Sequence, residues 1–415
     1  MTAENLKKNL LWNAAGNVIY LGCQWLITVL VTIIGGFEDA GVLSVAMSVS
    51  AIFQAVAAFG IRSFQISDLK EKYSDSCYVN FRFLTCAAAM VFCVIFSLIS
   101  GYFGGQLLAI CLFMIFRLAE CYSDVLHGIA QKKGRLDIAG KSFSIKGIGS
   151  LASFLLGYCL SGALNVGIFA MMLFSLGFAL CYDLPAVRRL SKFRLFGELS
   201  KCRRLALETL PLCLYLVLYN ALSMIPKLML EQECGEVILG AYSSIFAPAM
   251  LLQIAAGYIY NPFATQFALY RQTGDRKKYN SLLIKIVLFI FVVASIVMIA
   301  AQFWGEFALT IVFGEQILTY VYMMNPILIL NFAISYFGFF AMLVIALRRI
   351  SFLIAAVLTG FVVVIASAVP LIRWLGPNGA SYALILALIP SIVILCIGVF
   401  LRSKQNEKEV EYDEL

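Results

Sequence analysis

Long apolar runs, separated by short polar segments, make up almost the whole chain. A run of about 20 apolar residues matches the helix length that crosses the hydrocarbon core of a bilayer. Within that core each backbone amide must bond inside its own segment, so spans of this kind fold as helices. The chain is 62% hydrophobic and 13% charged, whereas soluble domains average about 45–50% and about 25%. The pattern predicts an all-α polytopic membrane protein with twelve transmembrane helices, at 12–34, 41–61, 80–100, 105–128, 142–161, 165–184, 207–230, 237–260, 281–303, 318–346, 351–373 and 379–401.

Charge asymmetry predicts the orientation of these spans. Most of the 31 Lys and Arg residues lie in alternate connections, and the positive-inside rule makes those connections cytoplasmic. The opposite connections carry acidic residues, namely Glu38, Asp39, Glu231, Glu233, Glu236, Glu306 and Glu315. Both termini are then cytoplasmic, and the first span, which no small-residue cleavage site follows, is retained. The net charge of +8 reflects this topology, so we expect no nucleic-acid partner.

The longest cytoplasmic connection, 185–208, divides the spans into six and six. We therefore predict an N-terminal six-helix lobe over 1–200, a C-terminal six-helix lobe over 201–403 and a cytoplasmic tail over 404–415. Basic and apolar residues alternate within the connection. That alternation suits either a segment held on the inner leaflet by membrane lipids or a solvated linker.

The two lobes carry a weak internal repeat. A shift of 199 residues places 41–64 on 240–263. The aligned pairs are Gly41 with Gly240, Ser44 with Ser243, Gln54 with Gln253, Ala57 with Ala256 and Phe64 with Phe263. Odd-numbered spans start on the same side in both halves, so the repeat is parallel. Parallel six-span repeats with a site between them at mid-membrane are a recurrent transporter plan.

Several kinds of active site are excluded by the sequence. The stretch "GRLDIAGKS" at 134–142 has one residue too many between its glycines for a phosphate-binding loop, and it follows no strand. A single histidine excludes multi-histidine metal sites, and Gly-x-Ser-x-Gly is absent. The 12 cysteines form no C-x-x-C pair, so we expect them to be small buried apolar residues. We therefore expect neither an enzyme nor a resident cofactor or metal.

One polar stripe interrupts the fourth span. Four residues with a 3, 4, 3 spacing fall within roughly 80° of one helix face: Arg117, Glu120, Asp124 and His127. Arg117 lies roughly 18 Å from the outer end of the span, near the bilayer midplane, where an arginine usually faces a bundle interior or a water-filled cavity. The sequence leaves open whether Arg117 serves such a cavity or only pairs with Glu120. Asp124 and His127 suit a solvated helix end.

Further polar groups inside spans are candidates for the same cavity. Lys146 and Lys227 each lie about one turn from a helix end, so each can either bind a ligand or extend its ammonium group to water. Lys227 follows Pro226, and a proline in a span often marks a break near a transport path. Asn17 and Gln54 either line the cavity or bond helix to helix. A cationic cavity at mid-membrane predicts an anionic group on the substrate.

Two stretches, "KKNLLWNAAGNVIYLGCQWLITVLVTIIGG" and "AGVLSVAMSVSAIFQAVAAFGIRSFQISDLKEKY", together with the basic mid-chain connection, resemble the bacterial polysaccharide-biosynthesis flippases. These belong to the multidrug/oligosaccharidyl-lipid/polysaccharide exporter superfamily. The resemblance implies alternating access of two lobes, which moves an undecaprenyl-pyrophosphate-linked oligosaccharide from the inner to the outer leaflet of the bacterial cell membrane. It also implies membrane lipids and polysaccharide assembly proteins as partners. In that scheme the substrate meets Arg117, Lys146, Lys227, Asn17 and Gln54, and a proton or cation is coupled by Glu120 and Asp124.

Two other functions fit the sequence less well. An ion-coupled multidrug exporter of the same superfamily often uses an acidic residue in the first span, and 12–34 holds none. A membrane-embedded glycan enzyme generally places its chemistry in a large external loop. The predicted outer connections are short, the longest being 304–317.

Overall fold

The computed structural model of the chain describes residues 3–68, 71–194, 199–260, 263–347 and 349–401. These residues form helices joined by short connections and contain no strand, which confirms the all-α prediction. The helices are α1 (Ala3–Ala58), α2 (Ile61–Ser67), α3 (Asp75–Ile99), α4 (Gly104–Lys132), α5 (Leu136–Ser161), α6 (Leu164–Phe178), α7 (Leu184–Arg188), α8 (Leu199–Cys234), α9 (Glu236–Tyr260), α10 (Ala264–Gln272), α11 (Arg276–Phe313), α12 (Met324–Ala346), α13 (Ile350–Leu375) and α14 (Asn378–Phe400). A π-helical segment, Ala179–Asp183, joins α6 to α7, and a 3₁₀ segment, Glu315–Met323, precedes α12. The predicted tail at 404–415 lies outside the described residues.

Helix α1 crosses the bundle twice. Gly36 has φ 72° and ψ −167°, a conformation that glycine alone adopts readily, and the chain folds back there. Near the start of α1, Asn9 donates to the Gly134 carbonyl at 2.8 Å. Just beyond its end, Arg62 donates to Gln131 at 3.0 Å, so both ends of α1 meet the same end of α4. In the described chain eleven helices are long and apolar enough to span a membrane, and α1, counted once, supplies two crossings. The twelve predicted crossings are confirmed.

The internal repeat is visible as reciprocal contact between the lobes. Gly41 packs against the Glu236 carbonyl, where no Cβ would fit. Gly240 packs in the same way against the Phe37 carbonyl, and both partners of this second contact are related to those of the first by the shift of 199 residues. The second half of α1 and α9 therefore cross at a pseudo-twofold axis that runs along the bundle. The two pseudo-repeated lobes are confirmed, while their boundaries at 200 and 403 stay a prediction.

We call the end of the bundle that holds the α4–α5 connection the basic end, and the end that holds Gly36 and Glu236 the acidic end. Hydrogen bonds at the acidic end join Thr32 to Ser244, Ser44 to Ser243, Tyr102 to Glu231 and Gln106 to Glu236. At the basic end the first turns of α8 pack on α3, and Lys72 pairs with Glu208 at 2.7 Å. The two predicted lobes thus contact each other at both ends, and the contacts at the acidic end lie across the repeat axis.

Helix α11 departs from its predicted span. It runs to Phe313, so the predicted outer connection over 304–317 is instead mostly helical. Phe303, Phe307 and Ile311 explain the extension, because they recur every fourth residue and form an exposed apolar face that can lie against lipid. The 3₁₀ segment then replaces the first turns of the tenth predicted span.

Candidate functional site

The polar stripe of α4 begins with an ion pair inside the bundle. The Arg117 guanidinium donates to Glu120 at 2.8 Å and packs on the rings of Phe113 and Phe116. The Arg117 and Glu120 side chains are 18% and 14% exposed, so the pair is partly accessible. The Arg117 Nε has no hydrogen-bond partner among the described residues. The guanidinium therefore retains donors that the ion pair does not use.

Asp124, one turn further along α4, lies between two arginines. Arg62 donates to its carboxylate at 2.6 Å and Arg82 at 3.2 Å. Arg82 is fully buried and also donates to the Ala57 carbonyl, whereas the Asp124 side chain is 36% exposed. The carboxylate thus ties α2 and α3 to α4 at the basic end while it remains accessible.

The stretch "RSFQISD" shapes the connection between α2 and α3. Gln65 is fully buried and donates to the Val125 carbonyl at 3.3 Å, which holds α2 on α4. Asp68 ends α2 and accepts hydrogen bonds from the Lys72 and Tyr73 amides at 2.9 and 3.1 Å. Burial raises the pKa of Asp68 and these hydrogen bonds lower it, with a lowered pKa as the net result. The motif therefore serves the packing of the N-terminal lobe.

His127, Lys146 and Asp183 form a buried cluster beside the stripe. The Lys146 ammonium lies 2.7 Å from the Asp183 carboxylate and also donates to the Ser123 hydroxyl. His127 Nε2 lies 3.3 Å from the same carboxylate, and its side chain is 1% exposed. The expected solvated position of His127 is wrong, and Lys146 does not extend its ammonium group to water, because the π-helical segment brings Asp183 against α4 and α5. A substrate-binding role for Lys146 stays a prediction.

Lys227 lies in different surroundings from the cations around α4. Its ammonium lies 4.0 Å from the centroid of the Phe246 ring, and no carboxylate in the described chain pairs with it. The ring face stabilises the ammonium without neutralising it. Lys227 is half-buried and lies about 6 Å along α8 from Glu231, whereas Arg117 lies about 16 Å along α4 from Gln106. Lys227 is therefore the cation nearer the acidic end.

The two predicted amides lie at different depths. Gln54 packs against α4 one residue beyond Glu120, since the Cys121 thiol lies 3.9 Å from the Gln54 backbone carbonyl. Its side-chain amide is half-buried and has no hydrogen-bond partner among the described residues. Asn17 donates to the Asn13 carbonyl at 2.8 Å within its own helix and lies nearer the basic end, where the neighbouring turn of α1 packs on α5.

The charges around α4 do not balance. Four cations meet three carboxylates: Arg62, Arg82, Arg117 and Lys146 against Glu120, Asp124 and Asp183. One positive charge is left over there, and Lys227 adds another in the C-terminal lobe. The described interior thus carries more cationic than anionic side chains, and Glu120 and Asp124 are partly accessible. In the described part of the chain no group of three or more His, Cys, Asp or Glu side chains suits a metal ion.

Sequence reasoning missed the partners of the stripe. Arg62 and Asp183 lie at span ends, where a charged residue is expected whether or not it has a partner. Arg82 lies inside the third span, but spacing along one helix does not show what a neighbouring helix presents. The sequence did offer one signal for a contact between helices, namely a carboxylate and an arginine near the same membrane depth on different spans.

Comparison with known proteins identifies the fold. No family model matches the chain. The solved structure of the lipid II flippase MurJ, in an inward closed conformation, has a TM-score of 0.70 at 12% identity, over 97% of this chain and 90% of that chain. The MATE multidrug transporter DinF-BH has a TM-score of 0.62 at 16% identity, over 96% and 97%. A mutant of the Vibrio cholerae MATE transporter VcmN has a TM-score of 0.61 at 11% identity, over 98% and 97%. The chain thus has the fold of a two-lobed, multi-pass membrane transporter.

A relative in sequence gives a more particular comparison. The chain is 24% identical over 311 residues to the capsular polysaccharide biosynthesis protein CapF of Staphylococcus aureus. The aligned region covers 74% of this chain and 78% of CapF. The resemblance to polysaccharide-biosynthesis flippases is thereby confirmed.

Proposed function

We propose that this protein is a flippase that moves an undecaprenyl-pyrophosphate-linked oligosaccharide from the cytoplasmic to the outer leaflet of the bacterial cell membrane. The observation that carries the proposal is the half-buried Lys227 ammonium, which pairs with no carboxylate among the residues that the structure describes. A cation in a bundle interior needs an anion to offset its desolvation. The pyrophosphate of a lipid-linked sugar supplies that anion.

The relatives support this kind of anion. CapF is named for capsular polysaccharide biosynthesis, and MurJ for flipping lipid II. A lipid-linked oligosaccharide joins a charged, polar headgroup to a long apolar tail. The headgroup needs a polar path across the membrane, whereas the tail can stay in the bilayer. In this proposal the polar side chains inside the two lobes line such a path.

In the proposed cycle Arg117 and Lys227 contact the pyrophosphate, and Gln54 contacts the headgroup beside the ion pair. Glu120 and Asp124 take up a proton or cation when the substrate leaves. The lobes part at the acidic end to release the headgroup and join there again to admit the next one. An inside-negative potential favours outward movement of the anionic headgroup by about 2.3 kcal/mol per charge per 100 mV.

The proposal also sets the orientation and the partners. The basic end faces the cytoplasm, so both termini are cytoplasmic, in keeping with the positive-inside rule. Lys146 and Asn17 hold their helices in this scheme, since one is buried against Asp183 and the other bonds within α1. Polysaccharide assembly proteins receive the substrate at the outer leaflet.

Leaflet relocation of a short undecaprenyl-pyrophosphate oligosaccharide in proteoliposomes tests the proposal. We expect Arg117→Ala and Lys227→Ala each to lower the relocation rate by about ten- to a hundred-fold, because a hydrogen bond to a charged group contributes about 1.5–3 kcal/mol. Arg373→Ala is the matched control, since Arg373 pairs with Glu233 at 2.7 Å on the surface. Wild-type relocation rates in both folded cavity variants would contradict the cationic site.

A multidrug exporter is the second candidate. The fold shared with the MATE transporters supports it, and the accessible Glu120 and Asp124 suit a cationic drug. Proteoliposomes that move a cationic dye but leave the lipid-linked oligosaccharide in place would favour the exporter. Consumption of the lipid-linked sugar, instead of its relocation, would indicate an enzyme.

A further inference from the structure

The C-terminal lobe contains a cavity of about 350 Å³ that the charged site does not include. It lies between α8, α9, α10 and α12, near the basic ends of these helices. Its described lining holds no charged side chain, and four of its ten residues are aromatic. The volume falls in the lower part of the range of about 300–1,000 Å³ that is typical of small-molecule pockets. The cavity has the size and the chemistry of a ligand site for an uncharged group.

Three of the lining rings form a column. The Tyr215 and Tyr219 centroids are 6.0 Å apart with planes inclined by 25°, and the Tyr219 and Phe337 centroids are 5.7 Å apart at 14°. Phe337 is buried and anchors the column in the core of the lobe. Tyr215 ends the column, and in the described chain its ring has one aromatic neighbour only. Its other face is thus free of an aromatic partner and can stack on a ligand.

Three tyrosine hydroxyl groups border the same cavity. Tyr215, Tyr219 and Tyr260 line it, and the described residues offer no hydrogen-bond partner to any of the three hydroxyls. Gly338 makes room for one of them, since a Cβ there would lie 2.6 Å from the Tyr260 oxygen. A tyrosine hydroxyl among apolar groups usually finds a partner. The three tyrosines are half-buried and none of these hydroxyls is buried without a partner, so each can form a hydrogen bond with a polar group of a ligand in the cavity.

We infer that this cavity binds a sugar ring of the lipid-linked oligosaccharide, an inference that rests on the proposed function. A pyranose packs its C–H groups on the face of an aromatic ring, which carries negative partial charge. Its hydroxyl groups lie around the ring edge and pair with tyrosine hydroxyls, each of which donates and accepts. An isoprenoid tail would leave the three hydroxyls unpaired, and a pyrophosphate would find no cation there.

The repeat strengthens this assignment. In the parallel repeat α12 occupies in the C-terminal lobe the place that α4 occupies in the N-terminal lobe, since each is the fourth span of its half. Helix α4 presents an arginine and carboxylates, whereas α12 presents Phe337 and Gly338 to the cavity. In this scheme the sugar meets α12, whereas the charged part of the headgroup meets Arg117 on α4 and Lys227 on α8.

Binding of two probes to the purified full-length protein tests the inference. The probes are undecaprenyl pyrophosphate that carries one N-acetylhexosamine and undecaprenyl pyrophosphate without a sugar. The double variant Tyr215→Phe/Tyr219→Phe keeps both rings and removes two hydroxyls. We expect it to bind the sugar-bearing probe about tenfold more weakly than the wild type, with unchanged affinity for the sugar-free probe, because each hydrogen bond contributes about 0.5–1.5 kcal/mol.

Tyr336→Phe is the matched control, since the Tyr336 hydroxyl donates to the Val287 carbonyl at 3.0 Å, away from the cavity. Its affinity for both probes should equal that of the wild type. Unchanged binding of both probes by the double variant would overturn the inference. An equal loss for both probes would overturn it as well and would assign the cavity to the isoprenoid tail.

Binding and relocation separate the two claims. If the tyrosines give selective binding of the sugar-bearing probe but the wild type relocates neither probe, the sugar site stands and the flippase proposal fails. If the wild type relocates the sugar-bearing probe and the double variant binds it as tightly, the flippase proposal stands and the sugar site fails.

Discussion

Lys146 and Lys227 occupy opposite electrostatic surroundings within the same bundle. The Lys146 side chain is 3% exposed and pairs with the fully buried Asp183, whereas Lys227 packs on an aromatic ring and has no carboxylate partner in the described part of the chain. In a buried ion pair the free energy of attraction roughly offsets the free energy of desolvation. Removal of one partner leaves an uncompensated buried charge. The charge of Lys146 is therefore balanced by a carboxylate of the protein, whereas for Lys227 we propose that a ligand supplies the balancing charge.

This difference predicts the effect of Asp183→Asn. We expect the variant to lose about 3–5 kcal/mol of unfolding free energy, because Lys146 would remain buried without its counter-charge. Thermal unfolding in detergent, followed by the loss of the monomer peak in size-exclusion chromatography, should show a midpoint several degrees lower. The double variant Lys146→Met/Asp183→Asn should recover most of the loss, since no buried charge remains.

Glu233→Gln provides the control for this prediction. It breaks the surface pair with Arg373 and should leave the unfolding midpoint close to that of the wild type. A wild-type midpoint for Asp183→Asn would mean that the Lys146 ammonium reaches water when its partner is removed.

At the scale of elements, the reversal within α1 depends on the backbone conformation of a single residue, Gly36. Gly36 has a positive φ with ψ near 180°, and a Cβ there would meet no other atom within 4 Å. The cost of a side chain at this position is therefore the backbone strain alone. Without the reversal at Gly36, α1 would continue as one helix and its second half would not reach α9.

We expect Gly36→Ala to destabilise the protein by about 1–3 kcal/mol, the usual cost of a residue other than glycine in this region. Gly22→Ala is the matched control, because Gly22 lies in the same helix with equally open space for an added methyl group but with helical backbone angles. It should be neutral or stabilising by up to about 1 kcal/mol. Thermal unfolding of both variants measures the difference, and equal midpoints would contradict it.

The helices themselves could be predicted closely from the sequence, because bilayer thickness sets the length of every span. The structure departs from the predicted helices outside the bilayer core, where membrane thickness no longer limits helix length. Helix α11 continues beyond the predicted span over 281–303, since apolar residues at helical spacing can lie against lipid outside the crossing. The stripe on α4 was predictable from its 3, 4, 3 spacing, whereas the roles of Arg62 and Asp183 depend on contacts between helices that spacing does not encode.

At the scale of the whole molecule, the repeat places equivalent residues in contact. The Ser44 and Ser243 hydroxyls lie 2.6 Å apart and are 199 positions apart in the sequence. Residues that contact their own equivalents lie on the pseudo-twofold axis, as in an isologous interface. A motion that parts the lobes at the acidic end must separate this pair. The pair therefore reports whether the acidic end opens during transport.

We predict that the double variant Ser44→Cys/Ser243→Cys forms a disulfide under oxidation, because two hydroxyls in contact lie within reach of the S–S bond length and the usual Cβ separation of about 3.5–4.5 Å. Mass spectrometry of proteolytic fragments identifies the bond. The oxidised protein should lose nearly all relocation of the lipid-linked oligosaccharide in proteoliposomes, and a reductant should restore it.

The single variant Ser44→Cys controls for the 12 native cysteines, and it should keep its relocation rate under the same oxidation. Loss of activity in the single variant would trace the effect to native thiols. Full relocation by the cross-linked double variant would contradict opening at the acidic end, because the axis pair would be joined throughout the cycle. A reversible loss confined to the double variant would instead mean that the lobes part at this axis each time a headgroup crosses, as alternating access requires.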